Sequence, residues 1–309
     1  MTTEQTIDAA SATATPATAA LYAIAFSAIV ILVAGLVLLW RWQFSRKSFQ
    51  YKVPRVPVIS VPWIYFVGMV LFVGFAWIIT LKVCGVLCQW LFPDFPLNTG
   101  YAEVVFSGVG NIGAIAAALY ARRFLLVLQT MPHIAVKTIG MAKPPPPISI
   151  PMALAVGAGV FCVIRTVLVP VMLGWDWLLN LAGVAAADQD MVVMLRGEGS
   201  SVHIAVMTFI AVVLAPIMEE MIFRGALFGY CRIRMPRWLA VLLPSLVFAA
   251  IHMDKATGLP NARSFMPLFA LAIILSIAYE RTGRIAVPIV AHALLNLSTI
   301  GMILLGVDG

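Results

Sequence analysis

The run Glu219-Glu220-Met221-Ile222-Phe223-Arg224 sets two carboxylates and a guanidinium inside a stretch, 202–230, that is otherwise almost wholly apolar. At about 100° per residue, Glu220 and Arg224 share a helix face and can pair, whereas Glu219 points away from them and is free to face a cavity. A carboxylate outside its neighbour's ion pair has the chemistry of a general base. Further along, Phe248 and His252 stand one turn apart, as do His292 and Asn296. An ion-pair cluster that only fixes packing is the plain alternative for the acidic group, and an interhelical hydrogen bond is the plain alternative for either histidine. Depth argues against taking these alternatives singly. At 1.5 Å per residue, Glu219 lies roughly 20 Å in from Arg232, His252 roughly 22 Å in from Arg237, and His292 and Asn296 roughly 12 and 18 Å in from Arg284. Glu, His, His and Asn converging at one depth from three helices describe a hydrolytic site.

The elements that must carry these groups follow from composition. Of 309 residues, 62% are hydrophobic and 11% charged, with a mean hydropathy of +1.01. That charge content is less than half of what a water-soluble domain carries, which excludes a soluble globular enzyme. Apolar spans are expected at about 19–40, 62–92, 104–121, 149–173, 202–230, 238–253, 265–279 and 285–305, all helical because an open sheet cannot satisfy its backbone in lipid. The expected fold is therefore all-α, a polytopic bundle of about eight transmembrane helices. Each charge at its centre costs on the order of 3 kcal/mol, so Glu219, Glu220 and Arg224 in one span are functional candidates by default.

Fourteen of the twenty basic residues fall in alternate loops: Arg41, Arg46, Lys47, Lys52 and Arg55; Arg122, Arg123, Lys137 and Lys143; Arg232, Arg234 and Arg237; Arg281 and Arg284. The opposite segments hold only Arg196, Lys255 and Arg263, against ten acids. This asymmetry orients the chain in a cell membrane with both termini on the non-cytoplasmic side. The net charge of +7 thus reports orientation, and no nucleic-acid partner is called for. Residues 1–18 read as a disordered tail, without the basic start of a signal peptide. Pro144 to Pro147 form a stiff linker that divides a three-span front region, 19–148, from a five-span rear region, 149–309. Cys84, Cys88, Cys162 and Cys231 show no metal-ligand spacing. Arg165, near the middle of the fourth span, requires an acidic or carbonyl partner.

Taken together, Ala215-Pro216, Glu219-Glu220, Arg224-Gly225, Phe248 with His252 and His292 with Asn296 resemble the CPBP intramembrane protease family. That family includes the type II CAAX prenyl proteases and relatives linked to bacteriocin processing or self-immunity. The resemblance covers about residues 202–305. It implies an intramembrane endopeptidase acting on membrane-associated or lipidated proteins that enter from the bilayer. In this reading Glu219, helped by His252, activates water, and His292 with Asn296 donates to the oxyanion. Glu220 with Arg224 locks the helix, and Phe248 walls the cavity. No cofactor is needed. The alternatives are a zinc site built from Glu219, His252 and His292, against which stands the lack of a His-Glu-x-x-His motif, and a noncatalytic membrane immunity or interaction protein. A transporter is weaker still, since the halves show no inverted repeat.

Overall fold

The computed structural model describes residues 59–94, 100–131, 148–184, 201–253 and 262–306, with scattered positions between 27 and 56. The N-terminal tail 1–18, the Pro144–Pro147 linker, residues 185–200 and 254–261 and the last three residues lie outside the described set. The described residues form helices and turns and contain no strand. In chain order the helices are α1 (Trp63–Leu91), α2 (Gly100–Leu128), α3 (Ile150–Leu181), α4 (Ser201–Arg232), α5 (Arg237–Ile251), α6 (Ala262–Thr282) and α7 (Ala286–Leu304). A shorter apolar helix, Ile29–Leu38, precedes them.

Six of these helices, all but α5 and Ile29–Leu38, are long and apolar enough to cross a membrane, so the protein is an all-α, polytopic membrane protein. The helices occupy the places of the eight expected spans, but among the described residues six are long enough to cross. The reason is length: the 15 residues of α5 rise about 22 Å, short of a hydrocarbon core of about 30 Å. Its end at Ile251 leaves His252 as the cap. Conversely, α2 runs past the expected end at 121. Arg122 and Arg123 are exposed, and nothing in a helix requires it to stop where the lipid does.

Proline starts several of these helices, where its missing N–H would have no intrahelical partner: Pro62 caps α1, Pro151 lies in the first turn of α3 and Pro236 caps α5. Helix α6 ends at Gly283, whose positive φ of 68° lets its N–H reach the Tyr279 carbonyl at 2.8 Å. The chain can then reverse directly into α7.

Helices α3, α6 and α7 form the largest core, around Ile164, Leu271, Leu275, Val287 and Ala291. Gly157 permits close approach of α7 to α3, since an added Cβ would lie 2.8 Å from Val290 Cβ. Helix α4 joins this unit through Met207 and Ala211 against Ile300 and Ile303. Helix α2 carries α1 onto the other flank of α4, with Val73, Ala114 and Ala117 packing beside Met218 and Ile222. Of the 29 residues of α1, only Phe66 and Val73 are buried, so its remaining apolar surface is available to lipid.

Candidate active site

Helix α4 is not uniform. Ser201–Phe209, Ala215–Glu220 and Gly229–Arg232 are α-helical, whereas Ile210–Leu214 and Met221–Phe228 are wound as wider π turns. Such turns are rare and gather at functional sites. Pro216 helps to explain the first. The Ala215 N–H bonds the Ile210 carbonyl, and Pro216 has no N–H, so neither residue can serve the Ala211 carbonyl. Asn296, on α7, supplies the missing donor: its Nδ2 donates to the Ala211 oxygen at 2.8 Å. Asn296 thereby keys α7 to α4 and retains one amide N–H for another acceptor.

The α-helical turn between the π segments carries Glu219 and Glu220. Glu220 is fully buried and Arg224 is 1% exposed. Arg224 Nη1 donates to Glu220 Oε1 at 2.8 Å, the pairing expected from their spacing. Arg224 also lies 4.8 Å above the Phe248 ring and donates through Nη2 to the Ala272 carbonyl at 3.4 Å. The same Glu220 Oε1 accepts from His292 Nδ1 at 2.9 Å. This second partner was not legible from spacing, because it joins residues 72 positions apart on different helices.

Glu219 points elsewhere, as the face argument required. Its Oε1 stands 3.6 Å from His252 Nε2 and its Oε2 stands 3.8 Å from His292 Nε2. Each histidine is held from behind by its other nitrogen. His252 Nδ1 donates to the Phe248 carbonyl at 2.7 Å, and His292 Nδ1 donates to Glu220. Both Nε2 atoms are therefore turned towards one carboxylate, beyond direct hydrogen-bond distance of it. Phe248 sits between the rings, 4.5 Å from that of His252 and 6.2 Å from that of His292, and meets Phe223 edge-on at 5.0 Å. The side chains of His252 and Glu219 are 30% and 15% exposed and that of His292 is 6% exposed. The carboxylate is thus reached past His252, while His292 forms the rear wall.

The structure brings Glu219, Glu220, Arg224, Phe248, His252 and His292 together, with Asn296 one turn from His292 and bonded to α4. A tetrahedral zinc ion would hold its donor atoms about 3.3–3.6 Å apart at bond lengths of roughly 2.0–2.2 Å. The histidine Nε2 atoms here face different oxygens of Glu219 at 3.6 and 3.8 Å, and among the described residues no group of three or more His, Cys, Asp or Glu side chains is arranged to hold a metal. Arg165 lacks the expected acid or carbonyl among the described residues; its Nη2 lies 3.4 Å from Met302 Sδ. Glu280, an acid that the sequence pattern did not single out, is fully buried between Arg232 and Arg237. Its only signal was to be the one acid on the arginine-rich side of the bundle.

Residues 201–298 match the family described as type II CAAX prenyl endopeptidase Rce1-like. The chain is 34% identical over 100 residues to the membrane-embedded CAAX protease MroQ of Staphylococcus aureus (strain USA300), covering 30% of this chain and 37% of that protein. It is 30% identical over 93 residues to YdiL of Bacillus subtilis (strain 168), covering 30% and 35%. It is 32% identical over 93 residues to an uncharacterized 24.3 kDa protein of Escherichia coli, covering 29% and 40%. The chain spans two fifths or less of the length of these relatives. No solved structure matches it. The matched segment, about a third of the chain, holds Glu219, Glu220, Arg224, Phe248, His252, His292 and Asn296.

Proposed function

We propose that this membrane protein is an intramembrane endopeptidase in which Glu219 activates water. The observation that carries the reading is one carboxylate faced by two Nε2 atoms, at 3.6 and 3.8 Å, each on a ring anchored by its Nδ1. A water hydrogen-bonded to Glu219 and His252 loses a proton to Glu219 as its oxygen attacks the scissile carbonyl carbon. The oxyanion accepts from His292 Nε2–H and from the second amide N–H of Asn296. Collapse of the tetrahedral intermediate breaks the C–N bond, and the proton held by Glu219 passes to the leaving amine. Glu220 selects the orientation of His292, and Phe248 excludes bulk water from the rear of the site.

Substrates of this class are membrane-associated or lipidated proteins that reach Glu219 from the bilayer, a reading supported by the CAAX protease relatives. The termini lie on the non-cytoplasmic side, a reading supported by the distribution of arginine and lysine. Membrane extracts incubated with wild type and with Glu219→Gln, followed by mass spectrometry of new peptide termini, test the reading. Termini that appear only with wild type support it. A folded Glu219→Gln protein that yields the same termini refutes it. A cellular phenotype that persists in that variant without cleavage would instead favour a noncatalytic interaction role.

A further inference from the structure

We propose that the cleft between α5 and α6 at the arginine-rich end of the bundle binds an anionic glycerophospholipid. The cleft has a volume of about 390 Å³ and is lined by Arg237, Trp238, Val241, Leu242 and Ile277. Its polar end is built on buried Glu280, whose Oε1 accepts from Arg232 Nε at 2.6 Å and whose Oε2 accepts from Arg237 Nε at 2.7 Å. Arg232 and Arg237 share this one carboxylate, so positive charge gathers at this corner. Because Arg237 is held through Nε, its two terminal nitrogens remain available, and its side chain is 47% exposed.

This arrangement selects the occupant. A planar guanidinium fixed at its base presents two parallel donors, which match two oxygens of a phosphate. Below it, Val241, Leu242 and Ile277 offer an apolar wall along the helices, where an acyl chain lies. Trp238, 64% exposed beside Arg237, is the residue type that settles at the headgroup level. A soluble anion would leave the apolar wall uncovered. A zwitterionic lipid brings its own cation towards Arg232 and Arg237, which an anionic headgroup avoids. The site is independent of the peptidase reading, and its test uses no activity.

Native mass spectrometry of the full chain, after exposure in detergent to equimolar phosphatidylglycerol and phosphatidylcholine, reads the preference directly. The expected result is about five-fold enrichment of phosphatidylglycerol on the protein, the effect of one basic residue near a charged headgroup. Arg237→Gln should bring the two lipids to parity while Glu280 keeps Arg232. Leu242→Trp fills the cleft from a partly exposed position without touching a charge, and should lower retention of phosphatidylglycerol by a similar factor. Equal retention of both lipids by wild type, or wild-type enrichment in either variant, overturns the proposal.

Discussion

At the scale of single residues, Glu220 is the most constrained group in the site. One of its oxygens accepts from both Arg224 and His292, and all three side chains are buried. Removing its charge leaves Arg224 unpaired in a low-dielectric setting, so Glu220→Gln should destabilise the fold by about 3–5 kcal/mol, measured by detergent-solubilised thermal or denaturant unfolding. Replacing Arg224 by Met in the same chain should recover a large part of that loss, because the stranded charge is gone. Equal stability of wild type and Glu220→Gln would remove the argument that this pair holds the site. Glu219 should behave oppositely. It is partly exposed, and the described geometry gives it no contact shorter than 3.6 Å to the histidines, so Glu219→Gln should leave the unfolding midpoint within about 0.5 kcal/mol of wild type. The separation of two adjacent glutamates into these roles was readable from the sequence, because a helix turns 100° between them. The bond from His292 to Glu220 was not, because helix periodicity says nothing about which neighbour a face meets.

At the scale of elements, α4 departs from the regular helix that its apolar pattern suggests. Its two π segments flank the turn that carries Glu219 and Glu220, and Pro216 leaves the Ala211 carbonyl to Asn296. Asn296→Ala should therefore cost about 1–3 kcal/mol of stability, the penalty of an unpaired buried carbonyl. Asn296→Asp should cost at least as much, since an ionised carboxylate would face that carbonyl oxygen. Restoring a backbone N–H with Pro216→Ala should reduce the cost of Asn296→Ala in a double-mutant cycle. Strict additivity would show that the two residues do not serve the same carbonyl. The existence and order of the helices were legible in the hydropathy, with ends within a few residues for α1, α4, α5 and α7. The π segments were not. Winding is decided by individual hydrogen bonds, which an apolar pattern does not reveal.

At the scale of the whole molecule, the bundle places a polar cluster within a helical membrane protein in which, among the described residues, six helices are long and apolar enough to cross the bilayer and most of the outer helix α1 is exposed. A reporter active only in the cytoplasm, fused to the C-terminus, should give no signal in cells, as the distribution of basic residues requires. A strong signal would contradict this placement of the C-terminus. The central claim, hydrolysis by glutamate-activated water, is tested most directly by measuring peptide cleavage by purified, lipid-reconstituted protein alongside its metal content. The account predicts turnover by wild type with negligible bound metal, and a fall of about 10²–10⁴-fold in the equally folded Glu219→Gln protein. Near-stoichiometric zinc that tracks activity and disappears in His252→Ala, or wild-type turnover by Glu219→Gln, would contradict it.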